Sequence, residues 1–130
     1  MMVKIPDPAQ KEPQRLLKIG QQQILPEQTV MMPVILRGGH GLKRLRLDIA
    51  FDKNQLDFSH IRKTRQSEDF DELNGEIIAD GVLRITGEHS KGIQTIGEGA
   101  LVQLYFRVRE KLVRPRIIQA GGDLGSFRIE

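Results

Sequence analysis

Leu45, Leu47, Ile49 and Phe51 fall on one side of an extended chain, and Arg44, Arg46, Asp48 and Ala50 on the other. Successive side chains of a strand point to opposite faces, so a period of two over this length specifies a half-buried β-strand and excludes a helix. The polar turn Asp52-Lys53-Asn54 stops the strand, and the chain resumes with Leu56 and Phe58. The same alternation recurs in Val30, Met32, Val34 and Leu36. It is longest in Ala100, Val102, Leu104, Phe106 and Val108, set against Leu101, Gln103, Tyr105 and Arg107. No stretch of a dozen residues carries an apolar stripe of helical period. Short strands punctuated by Gly, Pro and Asp turns specify an all-β sandwich or barrel.

The punctuation supplies further expectations. A short strand over 15–19 ends at Gly20, and Pro26-Glu27-Gln28 makes a turn into a strand over 29–36. Pro33 removes a ladder donor inside that strand, which should therefore lie at an edge or carry a bulge. Gly38-Gly39-His40-Gly41 is a flexible turn. From Ser59 to Asn74 the pattern is charged and irregular, a loop with one short strand near Phe70 and Leu73. Between Glu76 and Thr86, Asp80-Gly81 joins two β-rich runs and is expected to close a type I′ hairpin. A Gly-rich loop spans 87–99, and short strands over 114–120 and 126–129 flank Gly121-Gly122.

At 130 residues the chain can bury one full core, and with five Phe, one Tyr and no Trp, that core must be mostly Leu, Ile and Val. The absence of cysteine excludes a disulfide scaffold, a thiolate metal site and a cysteine nucleophile. A net charge of +3, without a Lys/Arg run or an aromatic-basic RNA motif, reads as a solubilising surface and not as a nucleic-acid footprint. No apolar run has the length of a membrane span, so no membrane insertion is expected. Pro6, Pro8 and Pro13 lie among polar residues, and residues 1–14 read as an extended linker or tail ahead of one domain over 15–130. Such a linker marks the chain as a piece of a longer protein.

No catalytic constellation emerges, and no cofactor or metal is expected. His40, His60 and His89 are far apart in loops and read as solvated. The acidic run from Glu68 to Gly75 fails the register of an EF-hand loop, since Leu73 and Asn74 stand where a ligand and the glycine should be. The glycines of 87–99 lack the Gly-Lys-Ser/Thr ending and the helix of a phosphate loop.

Three stretches together carry a resemblance. Gly41-Leu42 with the alternating strand, Phe51-Asp52-Lys53-Asn54 and Leu56-Asp57-Phe58 resembles the third strand and following turn of cohesin modules, a small-residue start leading to an aromatic-Asp-Pro-x-x-Leu turn. Residues 29–36, TVMMPVIL, are similar to that family's TVxIPV second strand, and 99–108, GALVQLYFRV, to its strand near the C-terminus. They occur in the family's order with compatible spacing. The resemblance implies a two-sheet jelly-roll β-sandwich of about nine strands, related to bacterial carbohydrate-binding modules. It implies no enzyme activity but capture of a calcium-loaded dockerin on one exposed sheet face, in extracellular or cell-envelope assemblies.

Carried over residue by residue, that face would hold Arg44, Arg46, Asp48, Arg84, Thr86, Glu88, Gln103 and Tyr105, with Leu101 and Arg107 beside them. Arg44 and Arg46 stand where the family commonly has an Asn and an Asp, so acceptors have become guanidinium donors. Arginine and tyrosine suit protein interfaces because each joins apolar area to directional hydrogen bonding. Arginine-rich recognition predicts binding that weakens with salt if the partner is acidic. Two other readings share the fold: a polysaccharide-binding module, which usually needs exposed aromatic platforms, and a structural module self-associating at a sheet edge.

Overall fold

The computed structural model describes residues 15–130, so the expected linker over 1–14 lies outside the described residues. Alternation produces two stacked sheets. The back sheet has the order β11(Arg128–Ile129)-β1(Leu16–Ile19)-β3(Thr29–Arg37)-β8(Glu98–Val108)-β5(Leu56–Lys63), with β2(Gln23–Leu25) also paired to β3. The front sheet has the order β10(Gly125–Ser126)-β9(Arg116–Gly122)-β4(Arg44–Ala50)-β7(Val82–Glu88)-β6(Glu72–Ala79). Every pairing is antiparallel except that of β1 with β11. The count is eleven strands, of which β2, β10 and β11 are only two or three residues long. Among the described residues no helix is long and apolar enough to cross a membrane.

The inward residues of both sheets form one core, with Leu45, Leu47 and Ile49 of β4 facing Val30, Met32, Val34 and Leu36 of β3 and Leu104 and Phe106 of β8. Phe106 is fully buried, with Phe51 at 5.4 Å and Phe58 at 5.8 Å between ring centroids. The irregular stretch resolves into β5, which runs to Lys63, a single 3₁₀ turn over Arg65–Ser67 and the start of β6. Phe70 and Leu73 are the apolar anchors that tie it to the core.

Pro33 lies in an interior strand, not at an edge. The ladder tolerates it because one flank of β3 pairs with β1 over Val34–Arg37 and with β2 over Thr29–Met31. Pro33 sits at the handover, where its carbonyl accepts from the Gly20 amide at 2.7 Å and no neighbouring strand needs its missing donor. On the other flank the register with β8 shifts between Val34 and Ile35.

The Asp80-Gly81 hairpin forms, but not as type I′. Gly81 takes φ +71° while Asp80 stays out of the left-handed region, and a register shift between Ile77 and Ala79 absorbs the difference in twist. Two consecutive left-handed residues occur instead at Glu27 and Gln28, both at φ 61°, in the β2–β3 turn closed by the Thr29 amide on the Pro26 carbonyl at 3.3 Å. Non-glycine residues are strained in that region by about 1–2 kcal/mol each. Replacing the pair with Asn-Gly should therefore stabilise the chain by about 1 kcal/mol, after allowing for the extra freedom glycine gives the unfolded state. A thermal melt of the E27N/Q28G variant checks this, and a lowered midpoint would refute it.

Candidate functional site: the outer face of the front sheet

The register of the front sheet arranges its outward side chains in rows across the strands. One row runs Arg44–Glu88–Glu72, the next Gly121–Arg46–Thr86–Asn74, the third Gln119–Asp48–Arg84–Glu76, and the fourth Arg116–Ala50–Val82–Ala79. Arg44, Arg46, Thr86, Glu88, Glu72, Asn74 and Glu76 are all exposed. Glu72, Asn74 and Glu76 belong to this face although nothing in the sequence had placed them there. The missing signal was the start of β6, hidden in a charged stretch with no clean alternation.

The centre of the face is fixed by Asp48 and Arg84. Arg84 donates from Nε to Asp48 Oδ1 at 2.9 Å and from Nη2 to Oδ2 at 3.1 Å, a bidentate pair across adjacent strands. Asp48 is 5% exposed, unusual for an outward carboxylate, because Arg84 lies over it. The Arg84 hydrogen bonds hold the Asp48 carboxyl below its usual range against the opposing effect of burial, with the charges of Arg84 and then Arg46 adding to them. At the top of β4, Asp123 accepts from the amides of Lys43 at 2.9 Å and Arg44 at 2.8 Å, which anchors the turn after β9 to the start of the arginine column.

Each edge of this sheet breaks register at about the level of the fourth row. The shift between Asp48 and Ile49 leaves Ile118 unpaired on β9, and the shift between Ile77 and Ala79 leaves Ile78 unpaired on β6. Both isoleucines are exposed, at 48% and 40%, and flank Ala50 and Val82. The face therefore has a charged upper part and a small apolar lower part.

Gln103 and Tyr105 are not on this face. They lie on β8 of the back sheet, as do Leu101 and Arg107, so the eight expected residues divide six to two between opposite sides of the sandwich. Alternation along a strand distinguishes inside from outside, but it does not say which sheet the strand joins. Leu101 is fully buried, since the β3–β8 register shift turns both Leu101 and Val102 inward. Tyr105 stacks on His60 with ring centroids 4.5 Å apart, carries the Arg62 guanidinium 5.6 Å from its ring centroid, and donates to Gln103 Oε1 at 3.1 Å. That ring is engaged within the protein, which weakens it as a platform for sugars. His89 is also not solvated as expected. It is 6% exposed and packs edge-on against Phe70 at 5.3 Å. Among the described residues no group of three or more His, Asp or Glu is placed to hold a metal ion.

No protein-family model matches the chain, and no curated protein matches it in sequence. Solved structures match in fold. The sixth cohesin of Acetivibrio cellulolyticus scaffoldin B, described in complex with a mutant Cel5 dockerin, superposes with a TM-score of 0.72 at 15% identity, covering 90% of this chain and 94% of that one. A Clostridium acetobutylicum cohesin in solution gives 0.69 at 15% identity, covering 92% and 86%. A non-cellulosomal cohesin of the archaeon Archaeoglobus fulgidus gives 0.64 at 16%, covering 89% and 84%. The chain has a cohesin-like β-sandwich fold, divergent in sequence.

Proposed function

We propose that this cohesin-like chain is a non-catalytic module that captures a dockerin-type protein partner on the outer face of its front sheet, within an extracellular or cell-surface assembly. The observation that carries this reading is the ordered charge array of that face. A part-buried bidentate pair, Asp48–Arg84, fixes the centre, and exposed arginines and glutamates stand around it with no ion-pair partner among the described residues. An exposed, unpaired polar array around a fixed centre suits recognition, because its charged groups give up no ion pair within the chain when they meet a partner. The cohesins described in complex with dockerins support the choice of partner class.

The face is not a purely basic surface. Arg44, Arg46, Arg84 and Arg116 are balanced by Asp48, Glu72, Glu76 and Glu88, so the face is neutral overall with its charges separated. A complementary surface must carry both signs. Arg46→Glu should weaken capture by about tenfold or more in calorimetric titrations with a panel of calcium-loaded dockerins. Tyr105→Ala, on the opposite sheet, should leave affinity unchanged. Equal affinities for Arg46→Glu and the parent chain would move the site elsewhere, and no binding by any dockerin would remove that partner class.

A further inference from the structure

We infer that the outer face of the front sheet is self-complementary and closes on a second copy of this chain. The inference needs no dockerin and does not rest on the partner reading. It follows from the order of charges across the strands. Arg116, Arg44 and Arg46 lie on β9 and β4, and Glu88, Glu72 and Glu76 on β7 and β6, in rows set by the sheet register. Consider a two-fold axis lying in the plane of contact, parallel to the strands and midway between β4 and β7. This operation lays β4 of one copy on β7 of the other, and β9 on β6.

Row by row, Arg44 then meets Glu88 of the second copy, Ala50 meets Val82, and Gln119 meets Glu76. The two bulged isoleucines, Ile118 and Ile78, meet at the lower corners. Each contact occurs twice, as an isologous interface requires. Arg46 meets Thr86 in the second row, and in the third each Arg84 lies over its own Asp48, so that two internally neutralised ion pairs face each other; apolar groups meet in the lowest row. Stacked sheets rotate by about 30° relative to each other, which displaces the corners most, but the long side chains of Arg44 and Glu88 can span the offset near the axis. Four strands about 4.8 Å apart and seven residues of about 3.3 Å give a footprint near 19 by 23 Å. At roughly 440 Å² on each copy, about half of the ~800 Å² per partner of a standard interface, that extent makes the dimer weak and concentration-dependent, not obligate.

A mixing experiment tests this directly. The wild-type chain, studied by sedimentation equilibrium, should pass from monomer to dimer with rising concentration, more weakly at high salt. Arg44→Glu alone and Glu88→Arg alone should each weaken self-association by about tenfold or more, because each places like charges in both copies of the contact. An equimolar mixture of the two variants should regain the dimer as a one-to-one heterodimer. In it the two substituted side chains face each other as an opposite-charge pair, and the native Arg44 of one variant faces the native Glu88 of the other. Pairing within one chain cannot produce that rescue. A wild type that stays monomeric to millimolar concentration overturns the inference, and so does a dimer that both single variants retain. Failure of the mixture to associate overturns it as well. Circular dichroism confirms that each variant, altered only at an exposed position, is folded.

Discussion

Phe106→Ala should lower the free energy of unfolding by about 3–5 kcal/mol, the largest loss expected from truncating any single side chain here. Phe106 is fully buried near the C-terminal end of β8, where the back sheet faces the front one, and two of the other four phenylalanines lean on its ring. The chain has no tryptophan and few aromatics, so nothing of comparable size is at hand to refill the space. A domain of this size has about 5–15 kcal/mol to lose in total. Urea denaturation with an unchanged slope measures the effect. A loss under about 1.5 kcal/mol would mean that the core collapses into the cavity far more completely than aliphatic packing normally allows.

Asp48→Ala is expected to have the next largest effect, because it acts on stability and on the face together. It removes two charge-assisted hydrogen bonds, a change worth about 1.5–3 kcal/mol in such contacts, and the lower end applies here because the freed Arg84 can turn toward water. The sign of the pH dependence follows from the lowered folded-state pKa of Asp48. A carboxylate more acidic in the folded than in the unfolded state contributes its stability above the unfolded value of about 3.9 and loses it as pH falls through the folded value. The gap in stability between wild type and Asp48→Ala should therefore be constant near neutral pH and narrow only in strong acid. A gap that instead widened on acidification would show that Asp48 is not the ionised partner of Arg84. If the proposed face is the binding face, release of Arg84 from its fixed position should also lower affinity for a dockerin that the parent chain binds.

The strands of this fold were legible wherever one face is buried and the other wet. Leu45 to Ile49 against Arg44 to Asp48, and Val102 to Phe106 against Gln103 and Tyr105, read correctly because burial enforces the period of two. The choice of the six front-sheet residues of the candidate face rests on the resemblance to cohesins, with alternation supplying only which side of each strand is outward. What alternation cannot encode is sheet membership, and so Gln103 and Tyr105 were grouped with strands that lie across the core from them. Pro33 marks β3 for a bulge, and the register does shift beside it, but alternation does not say which residue is the extra one. Leu101 and Ile118 each break phase within an apolar stretch, where either neighbour would serve as the inward residue, so only pairing with β3 and β4 decides. Glu72 and Glu76 were missed because β6 is an edge strand with exposed Ile77 and Ile78, and its buried face is too small to leave a pattern. The turn with two left-handed residues lies at Glu27-Gln28 and not at Asp80-Gly81, because hairpin geometry overrides local preference there.

The parallel pairing of β1 with β11 has a mechanical consequence. The first and last strands lie side by side and run in the same direction, joined by the Arg128 amide on the Arg15 carbonyl at 2.7 Å and the Glu130 amide on the Leu17 carbonyl at 2.9 Å. Tension applied between residues 15 and 130 pulls the two strands along their axes in opposite senses. The bonds between them are loaded together in shear instead of being peeled apart one after another, and Leu17, packed in the core, anchors β1 against the slide. A module built this way resists stretching at the point where force enters it, so the two-residue strand β11 acts as a clasp for the whole sandwich.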